Sequence, residues 1–186
     1  TMFACELAGV SPDIMCLSKG LTAGLLPMGA TLCTDEIYQT FYGGYSRAFF
    51  HGHTYTGNPL AAAVANASLD LFEKEESLTQ VSVIESMLTA AIPDFQSHPN
   101  ITNVRAKGVV MAMDLRQSDG SLYPVEQRVG YQLYLHSQDY GLLLRPLGNT
   151  IYLFLPLCTT GDELGDILEK MQKSLQSFRP NLNSKY

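Results

Sequence analysis

The first half of the chain has apolar runs and helix signals that predict alternating strands and helices. Two short apolar runs, 13–17 and 29–33, are bounded by Pro, Gly or Ser and predict strands, the first of them fully buried. Thr34 followed by two acidic residues predicts a helix start. Asn58 and Pro59 suit the N-cap and the first position of an alanine-rich helix, which we expect to be buried on nearly all sides.

The second half of the chain predicts a compact module of helices and strands. A helix follows the charged run 73–76, and the range 104–116 holds a strand that begins after Gly108. The range 125–139 predicts a helix with Val129 and Leu133 on one face. The ranges 142–145 and 150–155 predict strands, joined by a Pro-Leu-Gly-Asn turn.

The last predicted helix has the clearest pattern in the chain. Thr160 and Glu163 predict a capping box at its start. One apolar stripe follows at helical spacing, formed by Leu164, Ile167, Leu168, Met171, Leu175 and Phe178. These elements predict the α/β fold class with a C-terminal α+β module. We place the domain boundary after residue 76, a second domain over 77–178, and a frayed tail over 179–186.

Composition narrows the possible functions. The 186 residues carry 12 Lys and Arg against 18 Asp and Glu, a net charge of −6, which argues against nucleic-acid or anionic-membrane partners. The uncharged stretch 20–34 is too short and too rich in glycine for a membrane helix. No signal peptide opens the sequence, and four cysteines without paired spacing suggest free thiols. We therefore expect a cytoplasmic location.

Lys19 is the first candidate for chemistry. It follows an apolar strand, precedes Gly20, and is the first Lys or Arg in the chain. Partial desolvation at a strand end favours a neutral amine, which can form a Schiff base with an aldehyde or ketone. The alternative is a lysine that extends along the strand end to reach solvent.

Two further segments carry polar groups that suit anions. The loop 51–58 places hydroxyls and a glycine before a Pro-initiated helix, where backbone N–H groups and the helix dipole favour phosphate. A plain polar loop is the alternative, and His51 with His53 as a metal pair is disfavoured because no acidic or Cys ligand lies nearby. Arg145, between an apolar run and a turn, can offer a planar fork to a carboxylate or form a structural ion pair.

Together these segments resemble a known family. Ser18-Lys19-Gly20-Leu21 after a strand, followed by a His-Gly-x-Thr-Tyr-x-Gly-Asn-Pro segment over 51–59, is similar to the class III (fold type I) pyridoxal-phosphate-dependent aminotransferases. The Arg-Pro-x-Gly-Asn-Thr-Ile-Tyr segment over 145–152 is most similar to the branch that converts 8-amino-7-oxononanoate to 7,8-diaminononanoate in biotin biosynthesis. The resemblance reaches about Phe178.

The resemblance implies a role for each matching residue. Lys19 would form the Schiff base with pyridoxal 5'-phosphate and carry the proton of the reaction. Thr54 and the backbone of His53 would bind the cofactor phosphate across a dimer interface, and Gly52 would contact substrate. Arg145 would bind the substrate carboxylate, and Tyr152 would line the same pocket.

The resemblance also implies partners and a missing portion. We expect a homodimer with shared active sites, small-molecule substrates, S-adenosylmethionine as the amino donor, and no metal. Family members are over twice as long, so residues 1–76 would be the end of the large cofactor domain. The aspartate that pairs with the pyridine nitrogen in this family lies before the position of Thr1, and we expect these 186 residues alone to be inactive.

Other functions stay open at this point. The enzyme could act on a diamine, ornithine, 4-aminobutyrate or another ω-amine, or use lysine as the donor. A rival from another class is a non-catalytic, truncated module that dimerises or binds a partner. A plain α/β ligand-binding domain, with Lys19 as a structural residue, is a further alternative.

Overall fold

The computed structural model describes residues 1–182 and divides the chain into two compact units, the first ending at Leu78 and the second beginning at Thr79. The boundary predicted after residue 76 lies two residues from this division. Of the predicted tail 179–186, residues 183–186 lie outside the described part of the chain.

The first unit contains a two-stranded sheet and three helices. Its elements are α1 Ala4–Ala8, β1 Ile14–Leu17, a 3₁₀ turn Lys19–Thr22, β2 Ala30–Cys33, α2 Asp35–Phe41, a 3₁₀ turn Tyr45–Arg47 and α3 Pro59–Lys74. Strands β1 and β2 pair antiparallel, with Ile14 opposite Cys33. Both predicted strands are confirmed, but β1 is not fully buried: Ile14 is 55% exposed, because the described residues give this sheet no third strand.

The two predicted helix starts in this unit are confirmed. Thr34 Oγ1 accepts a 3.4 Å hydrogen bond from the Ile37 N–H, and Asn58 Oδ1 accepts one of 3.0 Å from the Leu60 N–H. The expectation that α3 is buried on nearly all sides is wrong for the described chain. Only one face is buried, formed by Ala61, Ala65 and Ser68, and that face recurs at helical spacing.

The second unit is an antiparallel sheet with helices. Its elements are α4 Ser77–Gln96 (whose first two residues belong to the first unit), β3 Ile101–Lys107, β4 Val110–Leu115, a 3₁₀ turn Val125–Gln127, α5 Val129–Ser137, a 3₁₀ turn Gln138–Tyr140, β5 Thr150–Phe154 and α6 Gly161–Ser177. The strand order is β3-β4-β5. The strand predicted after Gly108 is β4, and the structure adds β3, joined to it through Gly108 at φ +56°.

The core of the second unit lies between one face of the sheet and its helices. In β4 and β5 every second residue is buried, which separates a core face from a more exposed face. The buried side chains of the sheet and helices form one cluster that includes Ile84, Leu88, Phe95, Met111, Met113, Leu133, Ile151, Leu164 and Met171. The predicted pairing of Val129 and Leu133 on one helix face is confirmed, since both are buried.

Helix α6 and strand β5 agree with the sequence. Thr160 and Glu163 form the predicted capping box. The apolar stripe of α6 contributes buried and half-buried residues to the core. The predicted fraying does not extend to Asn181, whose backbone N–H and C=O form hydrogen bonds of 2.7 and 3.1 Å with the Gln132 side chain.

The predicted strand over 142–145 is wrong. Leu142 and Leu144 are buried and Leu143 is exposed, so the alternation that suggested a strand is real. The backbone of Leu142, however, bonds to Ser137 at the end of α5, with its N–H donating to the Ser137 carbonyl and its C=O accepting from the Ser137 hydroxyl. Its polar groups are therefore used by the helix end, and no strand ladder forms.

None of the described helices is long and apolar enough to cross a membrane.

Candidate functional site

Lys19 lies directly after β1, as predicted, and begins the 3₁₀ turn Lys19–Thr22. Its φ of +51° places a non-glycine residue in the left-handed region, which costs about 1–2 kcal/mol for an L-amino acid. The side chain is exposed and forms no ion pair within residues 1–182, so the expected partial desolvation is absent there. The amine is therefore free and accessible. Because the left-handed backbone conformation of Lys19 is unfavourable, contacts of the neighbouring residues must stabilise it.

The turn that carries Lys19 is stabilised by the buried Thr22 and by packing on α3. Thr22 is almost fully buried, and its hydroxyl donates a hydrogen bond to the Leu26 carbonyl. The turn packs on α3. Thr22 and the small residues Ala61, Ala65 and Ser68 are the buried residues of the described first unit, and small side chains allow backbones to approach closely. Lys19 is thus fixed relative to the helix whose start carries the next candidate residues.

The loop before α3 is folded by its own hydrogen bonds. The His53 N–H donates to Thr56 Oγ1 at 3.0 Å, and the Thr56 N–H donates to the His53 carbonyl at 2.9 Å. The Tyr55 N–H donates to His53 Nδ1 at 3.1 Å, so this ring nitrogen acts as an acceptor. A Cβ on Gly52 would lie 3.3 Å from Thr56 Oγ1, a tight contact, so a glycine suits this position.

Thr54 has free polar groups in this loop. It is exposed, and neither its backbone N–H nor its hydroxyl has a hydrogen-bond partner among the described residues. It precedes the N-terminus of α3, a helix of 16 residues that is capped by Asn58. Free donors beside a helix N-terminus suit an anion such as phosphate.

Arg145 presents a free guanidinium. It is exposed and forms no ion pair in the part of the chain that the structure describes, so the structural ion pair is not observed there. Pro146 follows it and restricts Arg145 to an extended backbone. A planar fork held on an extended segment is available for a bidentate contact with a carboxylate.

The turn after Arg145 is tightly anchored. Leu147 and Thr150 exchange two backbone hydrogen bonds of 2.8 and 3.0 Å around Gly148, which has a φ of +61°. Asn149 Nδ2 donates to the Tyr123 carbonyl at 2.7 Å, and the Asn149 carbonyl accepts from the Leu115 N–H at 2.9 Å. The segment therefore holds its shape through contacts on both sides.

Tyr152 and Arg145 both lie outside the buried core of the second unit. Tyr152 lies on β5 opposite Ala112, half-buried, on the face away from the core. Leu147 forms an isolated bridge with Thr150, two residues before Tyr152. Arg145 is exposed while its neighbour Leu144 is buried, so Arg145 lies outside the core.

Asp114 is a neighbour of this face that the sequence analysis missed. Thr150 Oγ1 donates to its Oδ1 at 2.7 Å, and Asn103 Nδ2 and Arg105 Nη1 donate to its Oδ2 at 2.7 and 3.3 Å. Burial raises the pKa of this carboxyl, but the hydrogen bonds and the charge of Arg105 outweigh that effect, and the net pKa is lowered. A single acid in the apolar run of β4 was the signal that could have identified it.

The predicted site residues fall into two groups. Lys19, Gly52, His53 and Thr54 lie in the first unit, and Arg145 and Tyr152 lie in the second. No group of three or more His, Cys, Asp or Glu side chains within residues 1–182 is arranged to hold a metal ion.

Comparison with known proteins defines the class. The family model for class-III aminotransferases matches residues 1–175. The chain belongs to this family, and its fold is that of part of a fold type I transaminase.

Two curated relatives and two solved structures describe the similarity more closely. Adenosylmethionine-8-amino-7-oxononanoate aminotransferases from Geobacter sulfurreducens and Synechococcus elongatus are 41% and 43% identical, over 95% and 89% of this chain and 40% and 38% of their own length. The crystal structure of the enzyme of that name from Methanocaldococcus jannaschii gives a TM-score of 0.86 at 34% identity, covering 95% of this chain and 42% of that one. An (S)-enantioselective omega-transaminase from Thermomicrobium roseum gives 0.87 at 29%, covering 95% and 40%. The chain spans about 40% of the length of these relatives.

Proposed function

We propose that the complete protein transfers an amino group to 8-amino-7-oxononanoate, giving 7,8-diaminononanoate, with pyridoxal 5'-phosphate as cofactor and S-adenosylmethionine as donor. The observation that carries this proposal is the exposed Arg145 guanidinium, without an ion-pair partner among the described residues, directly before an anchored turn. A substrate with one carboxylate and a distant ketone needs such a fork at one end. The curated relatives at 41% and 43% identity carry the name of this activity.

The residues present fit the cofactor. The exposed amine of Lys19 is a group that combines with an aldehyde, and the free N–H and hydroxyl of Thr54 are donors that bind a phosphate. When bound, pyridoxal phosphate supplies an aldehyde carbon and a ring that accepts electrons from the reacting carbon. A neighbouring transaminase structure, 32% identical with a TM-score of 0.83, is described as PLP-bound.

Lys19 has two tasks in this proposal. Its Nζ would hold the cofactor covalently at its aldehyde carbon, and the same amine would move a proton to and from the substrate carbon. The left-handed turn helps because Lys19 begins it directly after β1, while the buried Thr22 anchors the turn by a hydrogen bond to the Leu26 carbonyl. A positioned amine that removes a proton contributes roughly 10²–10⁴-fold to a rate.

The loop 51–58 has the binding task. We assign the free Thr54 N–H, next to His53, and the Thr54 hydroxyl to the phosphate, and the surface beside Gly52 to the substrate. The internal hydrogen bonds of His53 and Thr56 fix this loop before any ligand arrives, so fewer degrees of freedom are lost on binding. We further propose that the loop serves the active site of a second copy in a homodimer, because it is exposed together with Phe49 and Phe50.

Arg145 and Tyr152 have the specificity task. The Arg145 fork binds the carboxylate of the oxononanoate, and Tyr152 borders the same pocket. Charged hydrogen bonds of this kind are worth about 1.5–3 kcal/mol each.

Reductive trapping tests the cofactor assignment. The full-length gene product is loaded with pyridoxal phosphate, reduced with borohydride and digested. The masses of the resulting peptides are then measured by mass spectrometry. We expect a phosphopyridoxyl adduct on Lys19 and none on Lys74, an exposed lysine of the same unit that is paired with Glu75. An unmodified Lys19 in a folded, cofactor-loaded sample would contradict the proposal.

A second candidate is the transfer of an amino group from a simple ω-amine, which becomes a carbonyl compound, to the carbonyl of an acceptor, which becomes an amine. It is favoured by the likeness to the Thermomicrobium roseum omega-transaminase and to a bacterial amine transaminase at 29% and 32% identity. The KM for 8-amino-7-oxononanoate in an Arg145→Ala variant separates the two functions. A large increase supports the carboxylate-bearing acceptor, and an unchanged KM favours the ω-amine.

A further inference from the structure

We infer that Gly130 is a positioning residue for Arg145, through a close backbone contact between α5 and the turn 146–149. The inference rests on the proposed function of Arg145 in binding the substrate carboxylate. Gly130 itself lies on the core side of the unit and is buried. Its effect on substrate is therefore exerted through the turn.

The geometry at Gly130 excludes any side chain. A Cβ built on this residue would lie 2.2 Å from the carbonyl oxygen of Gly148 and 3.0 Å from Cβ of Pro146. The first distance is about 1 Å shorter than a normal van der Waals contact, and its partner is a backbone atom that cannot rotate away. The α-carbon of Gly130 is thus packed directly against the turn.

Both contacts are with residues that closely follow Arg145 along the chain. Pro146 is the residue after Arg145, and Gly148 is at the tip of the turn. The other side of the turn is fixed by Asn149, bonded to the Tyr123 carbonyl and to the Leu115 N–H. A side chain at 130 would meet both the Gly148 carbonyl oxygen and Pro146, so it displaces the part of the turn that precedes the anchored Asn149. Arg145 then moves with Pro146, and the shift grows along its long side chain.

A displaced Arg145 has a specific kinetic consequence. The acid end of the acceptor loses its contact, while Lys19, in the other unit, keeps its own surroundings. A loss of binding that is equal in the ground and transition states raises KM and leaves kcat unchanged. Misplacement of a binding group by about 1 Å can cost up to about 100-fold.

The test is a double-mutant cycle in the full-length, cofactor-loaded enzyme. Gly130→Ala, Arg145→Ala and the double variant are compared for KM and kcat with 8-amino-7-oxononanoate. The Kd of nonanoate, measured by calorimetry, gives a readout without turnover. Gly165→Ala is the matched control, because Gly165 is also helical in this unit and has open space at its Cβ position.

We expect Gly130→Ala to raise the KM and the nonanoate Kd about 10- to 100-fold with kcat within about 3-fold. We expect no further increase when it is added to Arg145→Ala, and no change in Gly165→Ala. An unchanged KM in Gly130→Ala, or an equal increase in the Arg145→Ala background, overturns the inference. If Arg145→Ala itself leaves KM and Kd unchanged, the proposed role of Arg145 in binding the carboxylate is wrong as well. If only Gly130→Ala leaves them unchanged, the positioning role of Gly130 is wrong and the role of Arg145 stands.

A milder variant covers the case in which Gly130→Ala does not fold. Asn149→Ala removes the hydrogen bond to the Tyr123 carbonyl and loosens the turn without a steric clash. We expect a smaller increase in KM that again disappears in the Arg145→Ala background. An unchanged KM in this variant overturns the inference.

Discussion

The Thr150 hydroxyl donates a 2.7 Å hydrogen bond to Oδ1 of Asp114, and this bond ties the first residue of β5 to β4 beside the turn that follows Arg145. Asn103, at φ +50° where the register of β3 shifts, donates to the other carboxylate oxygen. The bulge thus brings a donor to Asp114 that a regular strand would not place there. The carboxylate therefore joins all three strands of the sheet.

Replacing Thr150 with Val should destabilise the sheet by about 1 kcal/mol at neutral pH, because Asp114 loses a hydrogen bond that favours its charged form. Burial acts to raise the pKa of Asp114 and the bonds from Thr150 and Asn103 act to lower it, with a lowered net pKa. A lowered pKa adds stability above the ordinary value of 3.8, and this stability is lost as the pH falls through the folded-state pKa.

Hydrogen exchange of peptides covering β4 and β5, followed by mass spectrometry, measures this effect. The variant should exchange faster than the wild type at pH 7, and the difference should narrow below pH 3.8. Thr102→Val is the control, because Thr102 is paired with Asp114 on β3 without a side-chain bond to it. A difference that stays constant with pH would show that the hydroxyl acts without the carboxylate charge.

Truncation of Leu133 tests the core of the second unit. Leu133 is fully buried, and Leu133→Ala should lower the free energy of unfolding by about 2–5 kcal/mol, since it leaves a cavity between α5 and its neighbours. Leu135 is on the same helix but 42% exposed, so Leu135→Ala should cost less than about 1 kcal/mol. Urea unfolding of the two variants makes the comparison, and equal losses would contradict the assigned helix face.

The sequence predicted correctly those features that depend only on residues a few positions apart. The Thr160–Glu163 capping box, the stripe of α6 and the Asn58-Pro59 helix start are short-range features, and each is present. The alternation over 142–145 was equally clear, but it reports only which side is buried. Whether a strand ladder forms depends on what bonds to the backbone, and there the partner is Ser137.

In the candidate site, too, the residues with local sequence motifs were predicted and those that depend on distant contacts were not. Lys19 and Thr54 were found because their motifs are local, and Arg145 because a charged residue interrupts an apolar segment. Gly130 and Asn103 were missed, because their roles come from contacts with residues 18 and 11 positions away. The left-handed φ of Lys19 was also missed, because no turn-forming residue occupies the position itself.

Removal of the Lys19 amine should abolish most turnover. Lys19→Ala in the full-length, cofactor-loaded enzyme should lower kcat at least about 100-fold, because no other amine of the turn can take over the proton transfer. Lys74→Ala should retain wild-type activity, since Lys74 is exposed and paired only with Glu75. Circular dichroism confirms that both variants fold. Near-normal turnover by Lys19→Ala would remove the lysine from the mechanism.

The cap of α3 should couple helix stability to cofactor binding. Asn58 Oδ1 accepts the 3.0 Å bond from the Leu60 N–H, and Asn58→Ala should destabilise the helix by about 1 kcal/mol. Asn66, exposed in the middle of α3, is the matched control, because Asn66→Ala should stabilise the helix slightly through higher propensity. The Kd for pyridoxal phosphate should rise several-fold in Asn58→Ala only, because the uncapped helix start no longer holds Thr54 in place. If the melting temperature falls while this Kd stays unchanged, the helix start is structural and the phosphate binds elsewhere.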